Sequence, residues 1–368
     1  MMRVTAITAW DGLASLQPEW NALAAAAPEC GPFLSWAWAH AWLRHATEAQ
    51  LLVLAVRGAA GDLRGLAPLV NRTGCLEFIA ADRSMYLGIL ARPDDLGEAA
   101  GAFASWLRDS RAWRRVVLRS LPEEQLRPLE NALEDLGIAH HAESDKPSYL
   151  MALPESAAAF AAGLGKSFRK RLDYYQRRLE RECDVQYRTC GPHEDPAALD
   201  EFLRLHLLRM RGVGRKSRFE EREYADFVRQ ALSAMNGAAA VHMLWCGGRA
   251  AAALAGMKWG DTFYFWNSGF DAALARYNVG DLIQRFAIES AIGAGARRFD
   301  FLWGSEEYKL RWGAERRDTY RLDIERSRLR LAARATAQAA VCAARRVAAA
   351  TKRRLRPAAR LSSREGGR

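Results

Sequence analysis

The chain has 368 residues, of which 50% are hydrophobic and 26% are charged, a composition typical of a soluble globular protein. A chain of this length is long for one compact core, which favours two domains. The sequence contains no run of eighteen apolar residues, which excludes a transmembrane helix, and the N-terminus lacks the apolar core of a signal peptide. We therefore expect a cytoplasmic protein.

The net charge of +11 is concentrated near the C-terminus. Residues 326–368 contain thirteen Lys or Arg and one Glu, whereas the other 325 residues contain 41 basic and 42 acidic side chains. A neutral body argues against a DNA-binding core. The alanine- and arginine-rich tail predicts a helix that continues to Ala350. Two interpretations stay open for it, a solvated basic helix or a peripheral contact with an anionic membrane at its inner face.

Cysteine and histidine spacing gives no sign of a metal site. The six cysteines lie far apart with no C-x-x-C pair, and the seven histidines show no metal-ligand spacing. Buried free thiols are therefore favoured over a disulfide framework or a zinc site, and we expect no metal cofactor. The cysteines are Cys30, Cys75, Cys183, Cys190, Cys246 and Cys342.

The first 150 residues alternate strand and helix patterns. A tryptophan-rich helix over residues 33–44 predicts core packing, and its alternative is an aromatic rim around a ligand cleft. The other predicted elements are a strand at 4–7, a helix at 12–27, a hairpin of 51–56 and 63–70, a strand at 85–90, a helix at 97–107 and a strand at 115–118.

A segment with prolines and glycines, residues 144–166, separates this half from the next. The predicted domains are residues 1–150, residues 151–325 and the tail from residue 326. A helix capped by Ser167 follows. Its Arg169 and Arg171 belong either to a solvated charged face or to an anion-binding surface for coenzyme phosphates or RNA.

Residues 240–325 repeat the pattern of the first half at the level of elements. A hairpin, a further strand, a helix and a short strand occur in the same order in both halves. Such a repeat predicts two copies of one α/β unit side by side. A helix over residues 201–211 precedes the second copy and carries His206 and Arg209.

The second copy contains the stretch around which the chain is organised, residues 275–314. Gly280 stands at the head of an amphipathic helix, and Gly293 and Gly295 end it. The free N–H groups of a first helical turn favour a phosphate group. The alternative is that residues 278–281 only cap the helix. The aromatic residues 299–303 then predict a short buried strand.

Three motifs in this chain resemble those of a known family. They are Asp300-Phe-Leu-Trp-Gly304 with Glu307-Tyr-Lys309 and Trp312-Gly313, then Glu19-Trp20, and then Pro32-Phe-Leu-Ser-Trp36 with Trp42. The chain resembles the GNAT superfamily, more closely the cellulose-biosynthesis CelD-like acyltransferases, which are related to Fem-type peptidoglycan aminoacyltransferases. The resemblance implies a mixed α/β fold of two tandem GNAT-like domains with a basic helical tail. It also implies acetyl-CoA or another acyl-CoA as co-substrate and a small amine acceptor, such as an amino sugar in envelope or exopolysaccharide biosynthesis.

The resemblance also implies roles for single residues. Tyr308 would protonate the leaving thiolate, and Asp300 or Glu306 would act as base for the amine. Further residues would bind the coenzyme or the acceptor. The coenzyme-binding set is Asn278, Val279, Gly280, Asp281 and Lys309, and the substrate-binding set is His206, Arg209, Arg169 and Arg171.

Two other functions fit the same residues. One is a Fem-type transfer from aminoacyl-tRNA, for which the basic helix after residue 166 would contact tRNA. The other is a catalytically silent accessory protein of polysaccharide synthesis.

Overall fold

The computed structural model describes residues 2–46, 48–304, 307–334 and 336. It is a mixed α/β fold. The strands are β1 (Arg3–Ile7), β2 (Gln50–Arg57), β3 (Leu63–Arg72), β4 (Cys75–Phe78), β5 (Leu90–Ala91), β6 (Arg115–Leu121), β7 (Ala139–Ala152), β8 (Val185–Cys190), β9 (Ala239–Cys246), β10 (Arg249–Trp259), β11 (Thr262–Phe270), β12 (Arg298–Trp303) and β13 (Glu315–Glu325). The α-helices are α1 (Trp10–Ala26), α2 (Trp36–Leu43), α3 (Pro93–Asp109), α4 (Glu123–Asp135), α5 (Ala157–Gly163), α6 (Lys166–Glu182), α7 (Pro196–Gly212), α8 (Arg222–Ala234) and α9 (Val279–Gly293).

The strands form one mixed sheet in the order β1-β2-β3-β4-β6-β13-β7-β12-β11-β10-β9-β8, and β5 pairs with β3 beside this path. We call residues 3–152 the first half and residues 153–325 the second half. Each half has antiparallel strands followed by one parallel pair, β4 with β6 and β11 with β12. A helix connects the strands of each parallel pair, α3 in the first half and α9 in the second. The predicted repeat of one α/β unit is therefore present in the topology.

The two halves are joined by their last strands. The C-terminal strand β13 lies between β6 and β7, and it pairs antiparallel with both. The strand β7 in turn pairs with β12 of the second half. The predicted domain boundary at residue 150 falls within β7, which ends at Ala152. That division of the chain stays a prediction.

Most predicted elements are present, but two local predictions are wrong. The segment predicted as a strand at 85–90 is irregular except for Leu90 at its end, and the third strand of the first half is Cys75–Phe78. The irregular segment reads as a strand because its apolar residues are buried without belonging to a ladder. The helix α6 begins at Lys166 with Gly165 as its N-cap, so Ser167 does not cap it.

The hydrophobic core divides into two clusters on the two sides of the second-half sheet. One includes Trp20, Trp38 and Tyr264, and the other includes Phe299 and the buried face of α9. Trp38 is completely buried. The tryptophans of α2 therefore pack as core, which confirms the first interpretation of that helix.

Two cysteines differ from the sequence prediction. Cys183 at the end of α6 and Cys246 at the end of β9 form a disulfide, with Cα atoms 5.4 Å apart. The free-thiol prediction is wrong for this pair because the fold brings together residues that are 63 positions apart in the chain. Cys30 is a buried free thiol as predicted, Cys75 and Cys190 are partly buried free thiols, and Cys342 lies outside the described residues.

Little of the tail belongs to the described part of the chain. Residues 328–334 are helical, as predicted, and the tail beyond residue 336 lies outside the described residues. None of the helices in the described ranges has the length and apolar character needed to traverse a bilayer.

Candidate active site

The parallel strands β11 and β12 run together for only three residue pairs. Thr262 pairs with Arg298, Phe263 with Phe299, and Tyr264 with Asp300. Both strands continue past this point, β11 to Phe270 and β12 to Trp303, without further pairing to each other. The sheet therefore opens into a gap whose narrow end is formed by Tyr264 and Asp300.

A β-bulge marks the start of this gap. The pairing of β10 with β11 shifts between Ala255 and Gly256, so that Phe265 and Trp266 lie opposite one residue of the neighbouring strand. The bulge requires a glycine at position 256, because a Cβ atom there would lie 2.4 Å from the Phe263 ring. Bulges bend the strand and change where its side chains point, and they are frequent beside active sites.

The wide end of the gap leads to the start of α9. Asn278 precedes this helix in the left-handed conformation, with φ of 53°. Its carbonyl accepts the N–H groups of Asp281 and Leu282, and the N–H groups of Val279 and Gly280 precede the first intrahelical acceptor. The predicted turn therefore presents two backbone donors and the positive end of the helix dipole.

Asp281 is an acid in this turn, where an unpaired carboxylate would repel a phosphate. In the structure its carboxylate accepts a hydrogen bond of 2.7 Å from the side-chain amide of Asn278. The guanidinium of Arg171 from α6 lies 3.7 Å from the same carboxylate. The Asp281 carboxylate is thus bonded by the Asn278 side chain, and Arg171 brings a positive charge to the start of α9. The fold therefore brings Arg171 next to the predicted coenzyme-binding turn, although the two lie far apart in the sequence.

A cavity of about 280 Å³ lies between the two halves and reaches the narrow end of the gap. Its second-half wall includes Thr262, Tyr264, Arg298 and Asp300. The other residues around it are Glu29, Cys30, Tyr86, Ala91, Pro93, Leu96, Pro122, Glu124, Gln125, Leu150 and Arg317. Asp300 is the predicted catalytic residue that lines this cavity.

Asp300 is the buried acid of this cavity, with 4% of its surface exposed. One carboxylate oxygen accepts the backbone N–H of Leu302 at 2.7 Å. Burial raises the pKa of Asp300 to about 6, although Tyr86, the Leu302 N–H, Arg317 and Lys309 act in the opposite direction. A carboxyl group with this pKa is ionised at neutral pH and is more basic than an exposed aspartate. This is the property that a general base requires.

Two tyrosines accompany Asp300. Tyr264 extends from β11 of the second half, and Tyr86 comes from the irregular segment of the first half. Their ring centroids are 6.3 Å apart. Burial raises the pKa of both phenols, and the negative charge of Asp300 raises it further. Both therefore stay protonated at neutral pH and can donate a proton or a hydrogen bond.

The predicted acid, Tyr308, lies on the other face of the sheet. Its ring contacts that of Phe301 with centroids 6.4 Å apart, and it packs against the cluster that includes α9. Lys309 is almost fully buried, and its ammonium group donates to the backbone carbonyl of Trp303 at 3.0 Å. The roles of Tyr308 and Lys309 stay predictions. Glu306 lies outside the described residues.

The predicted acceptor-side residues meet at one strand of the second half. His206 Nδ1 donates to the carbonyl of Ser268 at 3.0 Å, and the guanidinium of Arg209 donates to the same carbonyl at 3.3 Å. Burial lowers the pKa of His206 to about 4, so its imidazole is neutral at pH 7. The close approach of α7 to β11 requires a glycine at position 269, because a Cβ atom there would lie 2.1 Å from the backbone nitrogen of His206.

None of the residues His206, Arg209 and Arg169 lines the cavity. His206 and Arg209 lie together on α7, and Arg169 is a partly exposed residue of α6. Their binding roles stay predictions. Within the described ranges, no group of three or more His, Cys, Asp or Glu side chains is arranged to hold a metal ion.

The part of the chain that contains this site matches a known family. Residues 166–310 match the family model described as an acetyltransferase (GNAT) domain. The fold is GNAT-like. The matched region contains the gap, the start of α9 and Asp300. No curated protein matches the chain.

Solved structures share this GNAT-like fold at low sequence identity. FemX matches with 12% identity over 89% of this chain and 98% of its own, at a TM-score of 0.65. A C-terminal domain of a protein described as a lysylphosphatidylglycerol synthetase from Agrobacterium fabrum matches with 13% identity over 89% and 96%, at 0.57. The L-PGS structure from Bacillus licheniformis matches with 13% identity over 77% and 86%, at 0.50.

The sequence interpretation missed Tyr86 and Tyr264 of the GNAT-like site. Tyr264 lies in the predicted further strand of the second half, and the alternation of side chains along a strand would have placed it on the opposite face from Phe263 and Phe265. Tyr86 lies in a segment that was predicted as a strand, and nothing in its local pattern indicates that it faces the second half.

Proposed function

We propose that the protein is an acyl-CoA-dependent N-acyltransferase that acts on a small amine. The observation that carries this proposal is the position of Asp300. It is a buried carboxylate of raised pKa at the narrow end of the gap between β11 and β12, and it faces an enclosed cavity. The match of residues 166–310 to an acetyltransferase domain supports the same reaction.

The geometry supports a direct transfer without a covalent enzyme intermediate. The phosphates of the coenzyme bind at the start of α9, near Val279, Gly280 and Arg171, and its thioester arm extends along the gap toward Asp300. The amine nitrogen in the cavity attacks the thioester carbon, and Asp300 accepts the amine proton. The carbon–sulfur bond then breaks, and a protonated phenol supplies the proton for the thiolate.

The cavity limits the acceptor. A volume of about 280 Å³ fits one compact amine. Glu29 and Asp300 favour a positively charged acceptor over an anionic one, since Arg298 is paired with Asp261 and Arg317 lies 3.7 Å from Glu124. An amino sugar fits this description, and the CelD-like motifs support a place in envelope or exopolysaccharide biosynthesis.

The test measures donor binding and turnover separately. Isothermal titration with acetyl-CoA and with longer acyl-CoAs gives the donor affinity, and release of free thiol is then followed with a panel of amines that includes glucosamine. We expect saturable acyl-CoA binding and amine-dependent thiol release. Binding without release from any amine would support a catalytically silent accessory protein, and absence of binding would refute the transferase.

A second candidate is a transferase that uses aminoacyl-tRNA. The observation in its favour is the exposed basic face of α6, which includes Lys170, Arg171, Arg177 and Arg181, together with the similarity in fold to FemX. Filter binding with bulk tRNA at two salt concentrations tests it. Salt-sensitive binding that is lost in a variant with Lys170, Arg177 and Arg181 changed to Gln would favour this candidate over acyl-CoA.

The basic tail suggests a location at an anionic membrane. Thirteen Lys or Arg residues against one Glu in residues 326–368 are enough for electrostatic attraction to anionic lipid. Sedimentation with phosphatidylglycerol vesicles compares the full chain with a version that ends at Arg326. Equal sedimentation of the two would refute the membrane contact.

A further inference from the structure

The cavity wall from the first half contains a buried tyrosine that the fold holds in an unusual position. Tyr86 has a positive φ of 53°, a conformation that is rare and strained for an aromatic residue. Its hydroxyl is buried and makes no hydrogen bond of normal geometry within the described residues. A buried hydroxyl in this condition calls for a reason.

The surroundings of Tyr86 point to Asp300. Both side chains line the same cavity, and the Tyr86 ring lies 6.3 Å from the ring of Tyr264, the residue that pairs with Asp300 in the sheet. Ser148 of β7 lies beside them, and its hydroxyl donates to the carbonyl of Arg317 at 3.3 Å. Tyr86, Ser148 and Asp300 thus form a buried polar cluster where the two halves meet.

A second strained residue serves the same carboxylate. Leu302 has a φ of 54°, and its N–H donates to Asp300. Two non-glycine residues in the left-handed region therefore lie beside one acid, and one of them, Leu302, donates to it. Strain of this kind persists when the surrounding structure fixes it, and it concentrates at functional sites.

The segment that carries Tyr86 is held firmly in place. The N–H of Leu87 donates to the carbonyl of Ser120 at 3.0 Å, and the side chain of Gln125 bonds both the N–H and the carbonyl of Ile89 at 2.9 and 3.0 Å. A Cβ atom at Gly88 would approach the Gln125 side chain to 2.3 Å. The close packing on both sides fixes the direction of the Tyr86 ring.

We propose that Tyr86 is the catalytic acid of the transfer, so that the first half completes the active site of the second. This inference rests on the proposed function. The amine nitrogen forms its bond to the acyl carbon, and Asp300 takes the amine proton. The carbon–sulfur bond breaks, and the Tyr86 hydroxyl gives its proton to the thiolate. The proton on Asp300 then passes to the Tyr86 phenolate, which restores both groups.

The test compares Tyr86→Phe with Tyr308→Phe and with Tyr174→Phe, a control at an exposed tyrosine of α6. The readouts are kcat with acetyl-CoA and the best amine of the panel, the Kd for acetyl-CoA and the melting temperature. For Tyr86→Phe we expect a kcat lower by about 100-fold, in the range of a lost general acid, with Kd unchanged. Tyr174→Phe should match the wild type.

Two further substitutions separate a chemical role from a structural one. Histidine and asparagine both tolerate a positive φ, but only histidine offers a proton donor with a suitable pKa. Tyr86→His should keep more kcat than Tyr86→Asn at equal melting temperature. Equal losses in the two, or a loss that follows the melting temperature, would overturn the proposal.

The outcomes distinguish this inference from the proposed function. Wild-type turnover that survives in Tyr86→Phe and disappears in Tyr308→Phe would assign the acid to Tyr308 and overturn the inference, while the transferase assignment stands. A wild-type protein that neither binds acyl-CoA nor releases thiol would refute the proposed function, and the inference with it.

Discussion

Each half contains a parallel strand pair that separates after two or three residue pairs. A backbone segment is hydrogen-bonded beside that separation only in the first half of the described chain. In the first half, β4 and β6 pair over two residues and then part. The segment with Leu87 and Ile89 enters there and is bonded to Ser120 and Gln125. In the second half, no backbone segment of the described chain is hydrogen-bonded into the corresponding gap between β11 and β12. The first-half gap is therefore occupied by a bonded backbone segment, and no such segment is bonded between β11 and β12 in the described residues.

The helices that follow the two gaps, α3 and α9, also differ in how well their first turns suit a phosphate group. The helix α3 begins with Pro93, which has no N–H group, and carries Asp94 and Asp95 in its first turn. The helix α9 begins with Val279 and Gly280 and carries one acid in its first turn, Asp281, which is paired with Asn278 and Arg171. Carboxylates at a helix start satisfy the dipole themselves and repel phosphate. One repeat thus has the features of a donor site, and the other supplies a wall and Tyr86.

The largest expected effect comes from Asp300, where the halves meet. We expect Asp300→Asn to lower kcat by about 100- to 10,000-fold, because the amine proton loses its acceptor. In the wild type, kcat should rise with pH through about 6, the pKa at which Asp300 ionises. The measurement is a pH–rate profile of both proteins, and an unchanged acid limb in the variant would contradict the assignment.

The same substitution should increase stability. The pKa of Asp300 is raised in the folded state, from an ordinary 3.8 to about 6, so folding favours the protonated form. The stability of the wild type therefore falls as pH rises from about 4 to 6 and stays lower above it. We expect Asp300→Asn to remove this loss, about 3 kcal/mol at most. Urea denaturation of both proteins at pH 4 and pH 7 checks the sign of this effect. The gain in free energy of unfolding from Asp300→Asn should be small at pH 4 and larger at pH 7.

The difference between the two helix starts can be tested by adding charge to each. Gly280→Glu places a carboxylate at the start of α9, and its Cβ must also displace the Phe270 ring, which lies 3.3 Å away. We expect at least about tenfold weaker acetyl-CoA binding, or about 1.4 kcal/mol. A glycine in the second turn of α3 gives the comparison: Gly97→Glu adds the same group in open space and should leave the affinity unchanged. Calorimetry should also give one donor site per chain; two sites would mean that the first half binds donor as well.

A smaller effect is expected at Arg171, whose side chain is 43% exposed. Arg171→Gln should weaken acetyl-CoA binding about threefold to fivefold, an effect that salt reduces because the charge is solvated. Arg177→Gln on an exposed part of the same helix is the control. Equal losses of affinity in the two variants would indicate that the overall positive charge of α6 attracts the coenzyme, and not a specific contact at the start of α9.

The smallest effect concerns the filled gap of the first half. Ser120 has a φ of 57° and a buried hydroxyl without a partner in the described part of the chain. Ser120→Gly removes both costs and adds only the backbone entropy of glycine, so we expect a gain of about 1 kcal/mol in the free energy of unfolding. Turnover should not change, since the gap there is structural. A loss of turnover would show that the first-half gap takes part in catalysis.

The sequence predicts the elements of this fold better than their contacts. The apolar spacing of α9 and the terminating Gly293 and Gly295 predict the helix as it is found. Asp300 was predicted as a base candidate because its motif, Asp300-Phe-Leu-Trp-Gly304, resembles that of the family. Tyr86 and the Cys183–Cys246 pair were missed because each depends on a contact between distant segments. Local periodicity carries no information about such contacts.

The insertion of β13 between β6 and β7 has a consequence for the newly made chain. Until residue 325 has left the ribosome, two of the central strands each lack a hydrogen-bonded neighbour, although every helix of the first half has already been synthesised. Unpaired edges of this kind attract other chains. A nascent protein truncated before β13 is therefore expected to be recovered as aggregate, and the enclosed site between the halves to appear only as the last step of folding.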